Sequence, residues 1–484
     1  MKYTINIEKA WCYDNCGYDK SGKEVERITS VVPSERQLDF MNMEYYNFIH
    51  FGINTINNAE WGTGKEDISV FNPKKLDTDQ WCRVLKNTGS KGIIITAKHH
   101  DGFCLWNTKQ TNHSVMHTPY GKDIVKQLSE SCKKYSLKMG IYLSPWDRHE
   151  EKYGTDEYND YFVSQLTELA TNYGEIFTFW FDGACGEGKN GKKQTYDWQR
   201  YYSVIRKLQP NAVISICGPD VRWIGNEGGH VRKSEWSVVP ALSANNEKIM
   251  KESQQGADEG KKMAAVIDTD EDLGSRELLS KHESLVFKPA EADVSINYGW
   301  FHNSKVFSHA RRQRSAKKLA KIYFNTVGAN ASMLLNVPPD RDGLINKREI
   351  KKLEAFTKMK DSVFENPIKK YQIYSVSKTF ERKHENKDES IKLLNDEYGI
   401  KIKFEKAQTV STVVLSEDLR FSQRTESFEL YVKTKNGYAL TEKNTVIGTK
   451  RIIRLKKKVS TDELLVVVTQ SRGNPVFKKI LAYS

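Results

Sequence analysis

The sequence is poor in cysteine and proline, with 7 and 12 of these residues among 484. The cysteines are scattered and odd in number, and Cys12 and Cys16 form the one close pair. This pattern excludes a disulfide-rich secreted domain, and no second pair completes a structural zinc site. We therefore interpret the cysteines as free thiols.

Long apolar runs are also missing from the sequence. No stretch approaches the roughly 20 apolar residues that a membrane-spanning helix needs, so we expect no membrane partner. The start, MKYTINIEKAWCYDN, lacks the apolar core of a signal peptide. The sequence as written therefore predicts a cytoplasmic protein, whereas a secreted or periplasmic one is expected if a signal segment has been removed.

Charge is abundant, and its excess is positive, with 75 basic against 62 acidic residues. One basic run, HARRQRSAKKLAK at 309–321, is interrupted by Ala310, Leu319 and Ala320 at a spacing that suits a helix with one buried face. A second run is RLKKK at 454–458. Because no nucleic-acid-binding motif accompanies these runs, we interpret them as solvated surface and expect no nucleic-acid partner.

Short apolar runs alternate with amphipathic stretches from about Tyr45 onward. The apolar runs lie at 46–52, 92–100, 139–146, 176–183 and 212–220, and the helical patterns between them at 77–89, 124–137, 158–174 and 198–210. This alternation predicts parallel strands joined by crossover helices. A (β/α)8-type TIM barrel fits, because polar residues collect after the strands, where such barrels hold their sites. A doubly wound open sheet is the alternative, but no Gly-rich phosphate loop supports it.

The pattern changes after about residue 365, where closely spaced period-two segments are separated by charged or Gly/Asn turns. Such segments are typical of an antiparallel β-sandwich. The sequence therefore predicts three parts. They are an N-terminal extension packed on the barrel (1–40), a catalytic (β/α)8-like barrel (41–365) and a C-terminal β-sandwich (366–484).

Two carboxylates follow predicted barrel strands. Asp182 ends the apolar strand in FTFWFDGACGEG (177–188), and Glu227 lies in a glycine-rich loop directly after the next strand. By position alone, Asp182 fits a capping or salt-bridging residue as well as a catalytic one. The two carboxylates could also face each other across one pocket, and two carboxylates flanking a bond are what glycoside hydrolysis uses.

Histidines and tryptophans collect near the same strand ends. His50 ends the first strand, and His99 and His100 end the second. Adjacent residues of a strand point to opposite faces, and no third ligand stands at zinc spacing, so we expect no metal. Neutral imidazoles that bond to sugar hydroxyls fit better. Indole rings pack on sugars but also in ordinary cores, and those near strand ends are Trp61, Trp106, Trp146, Trp180, Trp223 and Trp300.

Seven segments occur in order between about residues 30 and 360. They read FIHFGINTINNAEWG, TAKHHDGFCLWNTKQTNHSV, GIYLSPWD, FWFDGA, VRWIGNEGGH, EADVSINYGWF and NASMLLNVPPDRDGLI. Together they resemble the α-L-fucosidases, a retaining glycoside hydrolase family. The resemblance implies a (β/α)8-type barrel followed by a β-sandwich, as the patterns do.

The resemblance also implies residue roles. Asp182 matches the nucleophile, and Glu227 looks like the acid/base of the branch that acts on fucose linked α-1,3 or α-1,4 in Lewis-type glycans. The residues that match the fucose pocket are His50, Glu60, Trp61, His99, His100, Tyr142 and Trp180, with Trp300 as a further wall. The family commonly has Arg-Pro where this chain has Asn297-Tyr298, so the local contact there is expected to differ.

The expected activity is retaining hydrolysis of fucosylated oligosaccharides or glycoconjugates by double displacement, without a cofactor. Either Trp300 or Phe51 is expected to contact the methyl group of fucose. One alternative is a broad-specificity α-L-fucosidase that acts on simple or α-1,2-linked fucosides. Another is a catalytically inactive fucose-binding protein. The sequence leaves the oligomeric state open.

Overall fold

The computed structural model describes residues 22–241, 270–305, 308, 312–386 and 388–484. Cys12, Cys16, most of the predicted 1–40 extension and Ala310 lie outside this part of the chain. Within it, no helix is both long and apolar enough to cross a membrane. Cys82, Cys104, Cys132, Cys185 and Cys217 are buried thiols that form no disulfide, which confirms the interpretation for these five.

Helices and strands alternate first and strands alone follow. The α-helices are α1 (Lys23–Thr29), α2 (Glu35–Met43), α3 (Ile53–Asn57), α4 (Thr78–Lys86), α5 (Ile124–Lys134), α6 (Glu157–Asn172), α7 (Trp198–Leu208), α8 (Arg276–Leu279), α9 (Ala316–Thr326) and α10 (Lys347–Asp361). The strands up to α10 are β1 (Tyr45–Ile49), β2 (Gly92–Lys98), β3 (Lys138–Leu143), β4 (Ile176–Phe181), β5 (Val213–Ile216), β6 (Arg222–Trp223), β7 (Val238–Pro240), β8 (Leu285–Phe287), β9 (Ala290–Ser295) and β10 (Ala331–Asn336). The later strands are β11 (Tyr371–Ser377), β12 (Glu381–His384), β13 (Ile391–Lys392), β14 (Glu397–Glu417), β15 (Thr425–Thr434), β16 (Gly437–Asn444), β17 (Arg451–Ser471) and β18 (Val476–Tyr483).

Eight of these strands form one sheet, in the order β5-β4-β3-β2-β1-β10-β9-β6. Each of its neighbouring pairs is parallel. The edge strands β5 and β6 meet at a bridge between Ser215 and Val221, and the N–H of Ile216 donates to the carbonyl of Val221 at 3.0 Å. The sheet is therefore a nearly closed barrel, and the (β/α)8-type prediction is confirmed.

The residues that cap the helix N-termini, and the apolar faces that follow them, account for the helices that surround the barrel. Asp77, Asp123, Asp197 and Ser315 precede α4, α5, α7 and α9, and each side chain accepts a hydrogen bond from a backbone N–H in the first turn. Such caps satisfy amides that have no partner within the helix. The apolar stripes of these helices then cover the strands, as Trp81 and Leu85 of α4 do by being fully buried.

The segment before the barrel packs onto it. Phe40 and Met43 of α2 join the buried cluster that contains Tyr46 of β1 and Phe177 of β4. The side-chain amide of Gln37 donates to the carbonyls of Asp220 and Phe287, at 2.8 and 2.7 Å. The division of the chain at residues 40 and 365 stays a prediction.

Strands β11 to β18 form a second, antiparallel sheet. Its strands β14 and β17, of 21 residues each, extend through two layers, because the first half of β14 pairs with β11 and the second half with β18. One apolar core contains Ile400 and Val466 of the first layer and Val413 and Ile453 of the second. The sheet thus folds over itself into the predicted sandwich.

A buried ion pair joins the end of strand β2 to the loop that follows β3. The ammonium group of Lys98, the last residue of β2, donates to Asp147 at 2.9 Å, and both side chains are fully buried. Burial alone would raise the pKa of Asp147, but Lys98 and the backbone N–H groups of Glu150 and His149 outweigh it and lower that pKa. The carboxylate is therefore kept charged inside the protein by its partners.

Replacing Lys98 with Met should lower the free energy of unfolding by about 3–5 kcal/mol, because it leaves Asp147 buried without its cation. Urea denaturation followed by tryptophan fluorescence measures this loss. The lowered pKa adds stability above the unfolded-state pKa of about 4, so the difference from wild type should shrink as the pH falls below that value. Lys75, in an exposed pair with Asp342 at 2.9 Å, supplies the control, because Lys75→Met should cost under about 1 kcal/mol. Equal losses from the two variants would contradict this account.

Candidate active site

The carboxyl ends of the barrel strands bring the predicted site residues to one rim. Six come from the strand ends themselves, namely His50 after β1, His99 and His100 after β2, Tyr142 in β3, and Trp180 and Asp182 at the end of β4. Neighbouring strands are parallel, so these ends lie side by side. Loops bring the other four to the same rim, namely Glu60, Trp61, Glu227 and Trp300.

Asp182 is held by two hydrogen-bond donors and still reaches water. The hydroxyl of Tyr142 donates to its Oδ2 at 2.9 Å, and the N–H of Ala184 donates to Oδ1 at 2.7 Å. Its side chain is 25% exposed. Asp182 is therefore fixed in direction, and it remains open to a ligand.

His100 presents a hydrogen-bond acceptor to the same space. Its Nδ1 lies 2.7 Å from the hydroxyl of Ser144, which itself donates to the carbonyl of Trp146 at 2.6 Å. This network assigns the proton to Nδ1. The Nε2 atom, 3.9 Å from Oδ2 of Asp182, then carries a lone pair, and a ligand hydroxyl near both atoms can donate to either.

The three histidines of the site are electrically neutral at neutral pH. Nδ1 of His50 lies 2.9 Å from the side-chain oxygen of Asn336 and donates to it. Burial lowers the pKa of His50 to about 3 and that of His100 to about 4. Burial also lowers the pKa of His99 well below its usual range. The pocket therefore offers uncharged donors and acceptors, which suit a neutral polar ligand.

The expectation that His99 and His100 point to opposite faces is wrong. Their ring centroids are 4.1 Å apart, and the ring of His99 also stacks on Tyr142 at 5.7 Å. Strand β2 ends at Lys98, so the alternation of a strand does not extend to these two residues. Both rings therefore line the same pocket.

Aromatic side chains form the walls of this space. Trp61 is 39% exposed, and its ring contacts His100 edge-on at 5.3 Å. The ring of Trp300 lies 5.1 Å from that of His50. The carboxylate of Glu60 accepts the N–H of Trp300 at 2.7 Å and so fixes the segment that carries this wall. Burial raises the pKa of Glu60, although the backbone N–H groups of Trp300 and Phe301 oppose the rise.

Glu227 lies at the rim, beside Trp300 and close to Asp182. It follows the two-residue strand β6 and not β5 as expected, because the chain forms an additional barrel strand after β5. Gly225 and Gly229 flank it with φ of 96° and 69°, a conformation that glycine adopts without strain. The indole N–H of Trp300 donates to Oε2 of Glu227 at 3.3 Å.

Glu227 and Asp182 have different surroundings. Glu227 has an exposed surface at the cleft, but the protein atoms packed around its carboxyl group reduce its solvation, which raises its pKa to about 7. The negative charges of Asp182 and Glu60 act in the same direction, whereas the Trp300 hydrogen bond and Arg314 oppose them. Glu227 can therefore hold a proton near neutral pH, a property of catalytic carboxyl groups.

Two carboxyl groups that the sequence interpretation did not assign lie below the rim, on β9. The buried Glu291 accepts the Tyr46 hydroxyl and, at 2.6 Å, the indole N–H of Trp180. Asp293 accepts the indole N–H of Trp223 at 2.7 Å. Burial raises the pKa of Glu291 to about 7 and that of Asp293 well above its usual range. Acidic residues at alternate positions of an apolar strand, EADVS, were the signal that could have revealed them.

Some expected contacts are absent from the site. Phe51 packs against Phe71 and Trp81 in the core, so it does not supply the predicted contact. Trp106 is fully buried and donates to Glu168 at 2.9 Å.

Among the described residues, no group of three or more His, Cys, Asp or Glu side chains has the arrangement of a metal site.

Comparison with known proteins gives one consistent family. Residues 29–360 match the family model described as alpha-L-fucosidase. The chain is 35% identical over 472 residues to Alpha-L-fucosidase 1 of Arabidopsis thaliana, which covers 93% of this chain and 87% of the relative.

Solved structures agree in fold over nearly the whole chain. A glycoside hydrolase 29 family member from an unknown rumen bacterium is 33% identical with a TM-score of 0.75, covering 94% of this chain and 77% of the other. A Ruminococcus gnavus GH29 fucosidase in complex with fucose is 27% identical with a TM-score of 0.76, covering 94% and 95% of the two chains.

Proposed function

This chain belongs to the α-L-fucosidase family of glycoside hydrolases, and we propose that it removes fucose linked α-1,3 or α-1,4 within Lewis-type oligosaccharides and glycoconjugates. We further propose a double displacement with retention of configuration, in which Asp182 is the nucleophile and Glu227 the acid/base. The contrast between these two carboxyl groups is the observation that supports the proposal most.

Asp182 attacks the anomeric carbon of fucose in this scheme. Its two donors, Tyr142 and the N–H of Ala184, hold the carboxylate in place. The attack forms a fucosyl-enzyme ester, and the glycosidic oxygen leaves with its electron pair. Access to solvent leaves room for the sugar to approach.

Glu227 gives its proton to the departing oxygen and then takes one from the attacking water. Its pKa of about 7 allows both roles near neutral pH, because a group that is too acidic would be unprotonated when the bond breaks. Formation of the ester also removes the negative charge of Asp182, which lowers the pKa of Glu227 when a base is needed.

The fucose pocket in this proposal combines neutral polar groups with aromatic walls. Fucose is uncharged and the three histidines are neutral, so they can form hydrogen bonds with its hydroxyl groups without burying an unpaired charge. The residues proposed to contact it are His50, Glu60, Trp61, His99, His100, Tyr142, Trp180 and Trp300. The methyl group would lie against an aromatic ring, for which Trp300 remains the candidate.

The linkage preference rests on the setting of Glu227 in VRWIGNEGGH, which resembles that of the α-1,3/1,4-specific branch. Incubation with a Lewis a trisaccharide and with an aryl fucoside tests it. We expect release of fucose from the trisaccharide. Fast release from the aryl fucoside with little from the trisaccharide would indicate a broad-specificity enzyme, and release from neither would indicate an inactive fucose-binding protein.

Asp182→Ala should lower turnover by about a thousandfold or more, because the covalent route is lost. Azide can occupy the vacated space, so added azide should restore some rate and yield fucosyl azide of inverted configuration. Product NMR identifies that configuration. Glu187→Gln, which changes an exposed carboxylate in the loop after β4, is the control. A folded Asp182→Ala variant with near-normal activity would exclude Asp182 as the nucleophile.

Glu227→Ala should affect substrates according to their leaving groups. A sugar alcohol leaves poorly without a proton, whereas fluoride does not need one. Formation of the fucosyl-enzyme should therefore fail on the trisaccharide and persist on fucosyl fluoride, with a burst followed by slow turnover. Azide should accelerate that turnover with retained configuration. Equal losses on both substrates without an azide effect would mean that Glu227 positions the substrate.

A further inference from the structure

An exposed aromatic ring, that of Tyr298, lies near the loop that carries Glu227. Tyr298 is 53% exposed, although its neighbour Asn297 is only 2% exposed. The backbone around it is fixed, because the N–H of Tyr298 donates to the carbonyl of Arg312 at 2.8 Å and Asn297 forms a bridge to Gln313. The ring is thus presented to solvent from a rigid segment.

Arg314 connects this ring to Glu227. Its guanidinium lies 4.9 Å from the centre of the Tyr298 ring. One nitrogen donates to the carbonyls of Ser295 and Asn297, both at 2.6 Å, and the other donates to the backbone carbonyl of Glu227 at 3.5 Å. A cation covers part of the ring, and the same cation contacts the loop of the proposed acid/base.

Trp300 contacts both the histidine side of the site and Glu227. One part of the Trp300 ring faces His50 at 5.1 Å, and its N–H reaches Glu227 at 3.3 Å. An acid must contact the glycosidic oxygen, so the leaving group has to continue past Glu227, away from the histidines. Arg314, which contacts both the backbone of Glu227 and the Tyr298 ring, places this ring beside the proposed acid/base.

We infer that Tyr298, held by Arg314, is the platform on which the departing sugar lies, and that it gives this chain a preference for carbohydrate leaving groups. The inference rests on the proposed function. The C–H face of a pyranose packs on an aromatic ring, and an exposed tyrosine offers that surface with little loss of side-chain entropy. An uncharged sugar would also leave the contact between Arg314 and the Tyr298 ring undisturbed.

The test compares Tyr298→Ala with wild type on two substrates that differ only beyond the glycosidic bond. α-Fucosyl fluoride has no leaving sugar, whereas the oligosaccharide is the Lewis a trisaccharide or, if wild type does not cleave it, an α-1,2-fucosylated one. The value of kcat/KM reports steps up to ester formation for both. We expect a roughly five- to tenfold fall on the oligosaccharide, mainly through KM, and a change within about twofold on the fluoride.

Two variants control for the ring and for surface mutation in general. Tyr298→Phe keeps the ring and should stay near wild type. Phe421→Ala removes a ring that is 45% exposed in the C-terminal domain and should change neither substrate.

Each outcome separates the inference from the proposal beneath it. Wild-type enzyme that cleaves neither substrate would contradict the proposed function itself. Wild type that cleaves fucosyl fluoride but no oligosaccharide would overturn the inference. An equal loss on both substrates in Tyr298→Ala would also overturn it, since the ring would then act by supporting the Glu227 loop. No loss on the oligosaccharide would overturn it as well.

Discussion

Loss of solvation around a set of carboxyl groups, reinforced by repulsion between neighbours, is the constraint on which this site depends. Glu60, Asp182 and Glu227 lie at the rim of the barrel with Glu291 and Asp293 below them, and loss of solvation raises the pKa of Glu60, Glu227, Glu291 and Asp293. The neighbouring imidazoles bring no positive charge at neutral pH, because burial lowers their pKa values. Like charges cannot all form in such a space. Asp182 combines two hydrogen-bond donors with access to water, so its charge is the best accommodated.

The barrel supports this arrangement from below. Glu291 on β9 holds the indole of Trp180, whose ring stacks at 5.3 Å on Tyr142, the residue that donates to Asp182. A buried side chain far along the sequence thus orients the proposed nucleophile through two rings. The loops after the strands contribute the remaining residues of the site, Glu227 among them. The strands therefore fix one carboxyl group rigidly, and a glycine-flanked loop carries the other.

Much of this organisation could be predicted because it follows from local patterns. The apolar runs that became β1 to β5 and the helices with Asp or Ser caps were evident in the sequence. Strand β6 has two residues and no pattern of its own, because its place depends on pairing with β9. The contacts of Glu291 and Asp293 join residues that are distant in sequence. The period-two pattern of β9 therefore indicated inward-facing acidic residues but not their hydrogen-bond partners. The orientation of His99 and His100 depended on the point at which β2 ends.

Trapping of the covalent intermediate tests the central claim most directly. A fucosyl fluoride with fluorine in place of the 2-hydroxyl should form the ester and hydrolyse slowly, because fluorine destabilises the transition states of both steps. Proteolysis and mass spectrometry then locate the sugar. The account predicts a single label on the peptide that contains Asp182 and none in Asp182→Ala. A label on Glu227, or an enzyme that turns over natural substrate but acquires no label from the fluorinated sugar, would contradict it.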